Sequence, residues 1–258
     1  MLRISQAMEL QLIRHATLHV RIHGLVLLVD PMLGDAGCME PIQNSANPRP
    51  NPLVPLPFPA AQTFSGIDAV LVTHTHRDHW DPAATALIPR RMPIICQPED
   101  RDKLRAWGFE DVRPIHTGAV FGLVTMIRTP ARHGTGEIGE AMAPASGYML
   151  RSRAGESLYI AGDTIYCDEV AKVLATYKPR YTVLNCGGAR FIEGDAITMT
   201  AEDIVKVARS APFTEVIAVH MDSINHCGVT RAALREKLCE HKICERVRIP
   251  ADGEIYSF

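Results

Sequence analysis

Between residues 9 and 29 apolar and polar positions alternate with the two-residue period of half-buried strands. Residues 9–13, 16–23 and 25–29 are predicted as three strands joined by tight turns, the last turn at Gly24. In the middle strand Ala16, Leu18, Val20 and Ile22 share one face, and His15, Thr17, His19, Arg21 and His23 share the other. His19 and His23 therefore read as the solvated side of an antiparallel strand, while His15 lies at a strand edge, within reach of a site. From Asp30-Pro31 to about residue 67 no period holds. Residues 47–59 are proline-rich, which favours extended backbone without ladder hydrogen bonds. Their apolar residues Leu53, Val54, Leu56 and Phe58 predict a loop packed over the domain and walling the mouth of a site, rather than a solvated linker.

Beyond residue 67 the period changes repeatedly. A buried strand is predicted at 69–72, then a helix at 83–88 with Asp81 as N-cap and Pro82 as its first residue. A strand at 92–96, a helix at 99–107 closed by Gly108, and a strand at 112–115 follow. The second half reads as strands at 123–129, 147–153 and 157–161, with a glycine-rich loop at 130–139 between the first two. Next come a helix at 169–176, a strand at 181–185, a helix capped by Thr200 and ending near 210, and a strand at 215–219. A helix at 231–239 and short strands at 246–249 and 254–256 finish the chain. Short strands interleaved with helices indicate an α/β layer structure.

Composition narrows the function classes. With 258 residues, 47% of them hydrophobic, the chain can bury a large core. A formal charge of −2 and the lack of any basic run argue against a nucleic-acid partner. Residues 1–13 lack the pattern of a leader segment, and no apolar run is long enough for a membrane span, so a cytoplasmic protein is expected. The seven cysteines are scattered without a C-x-x-C pair, which suits a reduced compartment; Cys239 and Cys244 read as packing residues.

The chemistry concentrates in Val72-Thr73-His74-Thr75-His76-Arg77-Asp78-His79-Trp80-Asp81, directly after the strand at 69–72. Alternation turns His74 and His76 the same way, towards one metal, and a turn through Arg77 lets Asp78 and His79 point towards another. Imidazole and carboxylate are donors that zinc, iron and manganese accept. His133, Asp163 and His220 each follow another apolar strand, where loops of layered α/β folds build sites. His226, in the loop beyond His220, reads as a general acid or a substrate contact, with a buried structural histidine as the competing role. Arg132 and Arg190 lie in glycine-bearing loops from which a guanidinium could meet a phosphate or carboxylate.

His74-x-His76-x-Asp78-His79 with a later histidine, a Gly162-Asp163 pair after a strand and a last histidine resembles the metallo-β-lactamase-fold hydrolase superfamily. Arg14-His15-Ala16-Thr17-Leu18 and Asp30-Pro31 bring the likeness nearer to the branch of ascorbate-6-phosphate lactonase and the N-acylphosphatidylethanolamine phospholipase D-like hydrolases. The resemblance covers nearly the whole chain. It implies a four-layer αββα sandwich over residues 1–258, in two pseudo-symmetric halves at about 1–122 and 123–258. It implies two divalent metal ions, zinc, manganese or iron, one held by His74, His76 and His133 and the other by Asp78, His79 and His220, with Asp163 bridging. Asp78 and His226 are the implied catalytic residues, and His15, Arg132 and Arg190 the expected substrate contacts. The implied reaction is attack by a metal-bridging hydroxide on a small ester, lactone or phosphoester, with net positive charge favouring an anionic substrate. A phosphodiesterase or nuclease of the same fold and a diiron redox enzyme are the alternatives. A homo-oligomer is compatible with the sequence.

Overall fold

The computed structural model describes residues 8–258; residues 1–7, on which the expectation of no leader segment partly rests, lie outside it. Strands β1 (Glu9–Arg14), β2 (Thr17–Ile22) and β3 (Leu25–Val29) form the expected antiparallel meander, with Leu10 opposite Val20 and Leu18 opposite Val29. The chain then runs through an irregular segment and the short helix α1 (Ala60–Thr63) into β4 (Ala69–Leu71), which pairs parallel to β3. Helix α2 (Pro82–Leu87), β5 (Ile94–Cys96), α3 (Arg101–Ala106) and β6 (Val112–Pro114) extend the sheet in parallel. Asp81 caps α2 by accepting from the Ala84 N–H, as the sequence predicts.

The second sheet begins with the hairpin β7 (Gly118–Phe121) and β8 (Val124–Pro130). After α4 (Gly136–Met142) come β9 (Ser146–Ser152), β10 (Ser157–Ile160), α5 (Asp168–Tyr177) and β11 (Tyr181–Asn185). Helix α6 (Ala201–Ser210), β12 (Glu215–Val219), α7 (Arg231–Glu240) and β13 (Val247–Arg248) follow, and β14 (Ile255–Ser257) returns to pair with β1 of the first sheet. Strand order is β14-β1-β2-β3-β4-β5-β6 in one sheet and β13-β12-β11-β10-β9-β8-β7 in the other.

Alternation explains the layering. Leu27, Leu71, Leu150, Ile160, Val183 and Ile217 meet in a core between the sheets. Their strand neighbours face outward: Val70 and Ile94 pack on Ala84 of α2 and Leu104 of α3. Tyr159, Leu184 and Val216 pack against Val170 of α5, Ile204 of α6 and Leu234 of α7. The central parallel strands of each sheet are therefore buried on both faces, which is why they read as nearly continuous apolar runs, whereas β1 and β2 leave Gln11, His19 and Arg21 half-exposed on the outer face. The result is an αββα sandwich, and no helix among the described residues is long and apolar enough to cross a membrane.

Four features differ from the sequence reading or refine it. Strand β7 went unpredicted because its residues are exposed or half-buried and glycines flank its turn. The half boundary expected at 122 consequently falls inside a hairpin of the second sheet. Helix α4 begins inside the segment read as a glycine-rich loop, taking its last four residues and running on to Met142; at about two turns, with glycines at 136 and 139 and no fully buried residue, it is too short to read as a helix from its pattern. Cys239 and Cys244, expected as separate packing residues, are joined as a disulfide across the end of α7.

The inter-sheet core sets the fold's stability. Leu71→Ala removes a fully buried side chain between the sheets, and denaturant titration should show a loss of about 2–5 kcal/mol. Arg91→Ala, at a side chain 88% exposed, should stay within about 0.5 kcal/mol of wild type.

Candidate metal centre

The site lies along one edge of the sandwich, where strands of both sheets end. His15 follows β1, Asp30 follows β3, His74 to His79 follow β4, His133 follows β8, Asp163 follows β10 and His220 follows β12. The turn that delivers Asp163 requires a glycine: Gly162 has φ +67°, and a Cβ there would lie 2.5 Å from the Ser146 carbonyl oxygen. His15, Asp30 and His220 themselves adopt left-handed backbone, with φ of 62°, 44° and 71°. Two backbone hydrogen bonds hold these bends, from His220 N–H to the His15 carbonyl and from Asp30 N–H to the Leu71 carbonyl.

Donor atoms converge at hydrogen-bonding distances. His74 Nε2 lies 3.0 Å from His76 Nδ1, and His79 Nε2 lies 3.3 Å from His220 Nε2. Asp163 places Oδ2 3.3 Å from His79 Nε2 and 3.4 Å from His133 Nε2, and Oδ1 3.3 Å from His220 Nε2. Asp78 Oδ2 lies 3.6 Å from His220 Nε2. The opposite ring nitrogens are committed elsewhere. His79 Nδ1 donates to Asp30 Oδ2 at 2.8 Å, and His133 Nδ1 donates to the Ile197 carbonyl at 2.8 Å. His74 Nδ1 donates to Thr73 Oγ1, whose own proton goes to Asp30 Oδ2 at 2.7 Å. These outer bonds turn the Nε2 atoms of His74, His79 and His133 inward, the arrangement of metal-ligating histidines. Three donor groups result: His74, His76 and His133; His74, His79 and Asp163; and His15, Asp78, His79 and His220. The donor set fits divalent transition metals.

Electrostatics point the same way. Burial opposes ionisation of Asp78 and Asp163, yet the surrounding histidines outweigh it and hold both well below the usual carboxylate range. Burial, then His79 and His76, push His74 well down; burial is also the main reason His76 sits at about 4. His79 goes up against its own burial because Asp163, Asp30 and Asp78 surround it. The buried carboxylates thus demand positive charge while the His74 and His76 rings refuse protons.

Other residues singled out in the sequence fare differently. His15, expected at a substrate-facing edge, is fully buried behind the cluster, its Nε2 3.2 Å from Asp78 Oδ2 and its ring 3.6 Å from that of His220. It supports Asp78 and does not line the cavity, because the bend after β1 turns it inward. Arg132 points away to pair with Glu169 at the surface, and Arg190 is exposed and outside the cavity lining. His226 does line the cavity, and its Nδ1 has no hydrogen-bond partner. The proline-rich stretch packs Leu56 and Phe58 against the core outside the first sheet; the mouth is walled by Ile42, Gln43 and Asn44, just upstream. Asn225 fastens that wall, accepting from Ile42 N–H at 2.9 Å and donating to the Asn47 carbonyl at 2.7 Å.

Sequence reasoning assigned no site role to Asp30 or Asn185. Asp30 accepts from Thr73 N–H, Thr73 hydroxyl and His79, and Asn185 Nδ2 donates to Asp163 Oδ1 at 2.6 Å. Asp30 carried a usable signal, an aspartate directly past an apolar strand, the same placement as Asp163.

Residues 26–221 match the model of the family described as the beta-lactamase superfamily domain. A curated relative, the UPF0173 protein YddR of Bacillus subtilis, is 32% identical over 97% of this chain and 100% of its own. The solved structure of an isothiocyanate hydrolase from Delia radicum gut bacteria superposes with a TM-score of 0.93 at 37% identity, covering 97% of this chain and 99% of that one. A possible metal-dependent hydrolase from Veillonella parvula superposes with a TM-score of 0.95 at 30% identity, over 98% of this chain and 100% of that one.

Replacing Asp30 by asparagine keeps an acceptor for His79 but removes the charge behind it. Metal affinity should fall by about 10- to 100-fold, read by competition with a chromophoric chelator. Acid should also weaken the metal-free protein. Burial, assisted by neighbouring His220, holds His15 at about 3, and burial holds His226 at about 4, against an ordinary 6.5. Unfolded chains take up protons that these folded rings refuse, so stability falls as pH is lowered from 6.5 towards those values. Melting temperatures of metal-free protein should drop across that window, and His226→Gln should flatten the slope.

Proposed function

The chain belongs to the beta-lactamase superfamily domain family as a metal-dependent hydrolase, and on that premise we propose that it hydrolyses a small uncharged electrophile, with isothiocyanates as the leading class. One observation carries the choice of substrate. A cavity of about 330 Å³ opens directly over His76, Asp78, His133 and Asp163, and Ile42, Met142, Phe191 and Ile197 supply apolar walls. Beyond the charge of bound metals, the cavity lining offers an anionic substrate little to pair with. Arg77, the lining cation, already donates to the Glu40 and Pro41 carbonyls, and Arg132 is paired with Glu169. The whole-chain likeness to an isothiocyanate hydrolase at 37% identity supports the same class.

In this reading His74, His76 and His133 hold one divalent metal and Asp78, His79 and His220 a second. The opposed contacts of the two Asp163 oxygens, one near His133 and the other near His220, support a bridging role for that carboxylate. Zinc, manganese and iron all suit imidazole and carboxylate donors. When bound, such a pair supplies an acidified water and a Lewis-acid contact for the electrophile.

The chain's own residues do the rest. The apolar walls hold the organic group and exclude bulk water. Adding water across R–N=C=S forms a C–O bond at the central carbon and gives a thiocarbamate; protonation at nitrogen and C–N cleavage then release R–NH2 and carbonyl sulfide. Esters and lactones would be attacked at the equivalent carbonyl carbon. His226, neutral at neutral pH because burial lowers its pKa to about 4, serves as a neutral hydrogen-bonding contact to the substrate heteroatom rather than as a charged acid. Its unpartnered Nδ1 supports that role.

Metal-replete protein should carry about two metals per chain and consume allyl or phenethyl isothiocyanate with release of amine. His76→Ala and Asp163→Ala should lose both metal and turnover. Turnover of a phosphodiester or a lactone with no action on isothiocyanates would shift the assignment to the ester-cleaving readings, and protein that stays metal-free in replete medium would sink the hydrolase mechanism.

A further inference from the structure

A second cavity of about 550 Å³ adjoins the one over the donor cluster, and Asn44, Met142 and Phe191 line both. Its remaining walls are mostly apolar, contributed by Ile138, Ala141 and Ile192, with Glu193 its one charged residue. Ile138, Ala141 and Met142 stand at i, i+3 and i+4 on α4, so they form a single stripe along one helix face. Elsewhere in the molecule such a stripe is buried against a sheet, but α4 buries none of its residues. Ile192, on the facing loop, is 70% exposed. The two walls approach closely at Gly194 (φ +96°), where a Cβ would meet Ile138 Cδ1. Phe191 sits at the junction of the cavities, its ring centroid 6.2 Å from that of His226.

We infer that the outer cavity is a tail subsite: it receives the extended apolar portion of a substrate whose reacting carbon lies in the inner cavity, with Met142 and Phe191 as the passage between them. The occupant is an uncharged aryl or alkyl group. An exposed stripe continuous with a reaction cavity gains from covering by such a group, and the gain grows with each methylene buried. Glu193 at the wall disfavours an anionic tail. The inference rests on the metal-hydrolase reading for the inner cavity but not on which bond is cleaved there.

Hydroxamates chelate the metals of a loaded hydrolase whatever it cleaves, so they test the subsite without turnover. Calorimetric titration of metal-loaded protein should give octanohydroxamate an affinity at least about tenfold above that of acetohydroxamate, a modest share of what its additional methylenes could contribute. Ala141→Trp, filling the outer cavity, and Ile192→Ser, at an exposed position that does not endanger folding, should each shrink that ratio. Equal affinities in wild type, or a ratio that neither substitution changes, would overturn the subsite. A chain-length preference in protein that leaves isothiocyanates untouched would uphold the subsite and remove the isothiocyanate assignment.

Discussion

A carboxylate outside the reaction cavity holds the donors in place. Asp30 is buried at the end of β3 and receives the Thr73 amide, the Thr73 hydroxyl and His79 Nδ1. Through His79 it orients one donor group, and through the Thr73 hydroxyl it fixes the tautomer of His74 in another. Imidazole rings packed 3.0–3.3 Å apart would reorient without such outer bonds. The same charge helps raise His79, while burial and His79 lower His74, and the ionised Asp78 and Asp163 keep the cluster attractive to a cation.

The sandwich makes this possible by ending its strands together. Each sheet is locked by a core on both faces, so the residue after a strand can be positioned with little freedom. The bends that aim His15, Asp30 and His220 inward are left-handed, a conformation costing non-glycine residues on the order of 1–3 kcal/mol each. Such bends persist where the surroundings over-determine them, and here backbone hydrogen bonds from His220 to His15 and from Asp30 to Leu71 supply that constraint.

How much of this was readable in the sequence depended on burial. Every strand except β7 was legible, most of them because their alternation or continuous apolarity follows directly from packing between layers. The donors were legible because each follows such a strand, and the structure brings His74, His76, Asp78, His79, His133, Asp163 and His220 into one cluster. Direction was not legible. A strand end says that a side chain lies near a site but not which way it then turns; His15 bends inward through a left-handed backbone, and Arg132 turns out to pair with Glu169. Short, largely exposed elements left too little pattern, so β7 and α4 are not expected from the sequence. Asn225 is a loop residue whose five side-chain hydrogen bonds reach residues 42 to 51, a pairing that no local pattern encodes.

The absence of α4 from every core has an evolutionary consequence. Substitutions on β4 or β12 must satisfy two packed layers and a row of metal donors at once, which leaves few acceptable choices. Helix α4 answers to neither constraint: it is seven residues long, buries none of its side chains and carries no donor. Its face can drift, lengthen or be exchanged while the chemistry beneath stays intact. A scaffold divided in this way can acquire new preferences one surface residue at a time, without passing through unstable intermediates.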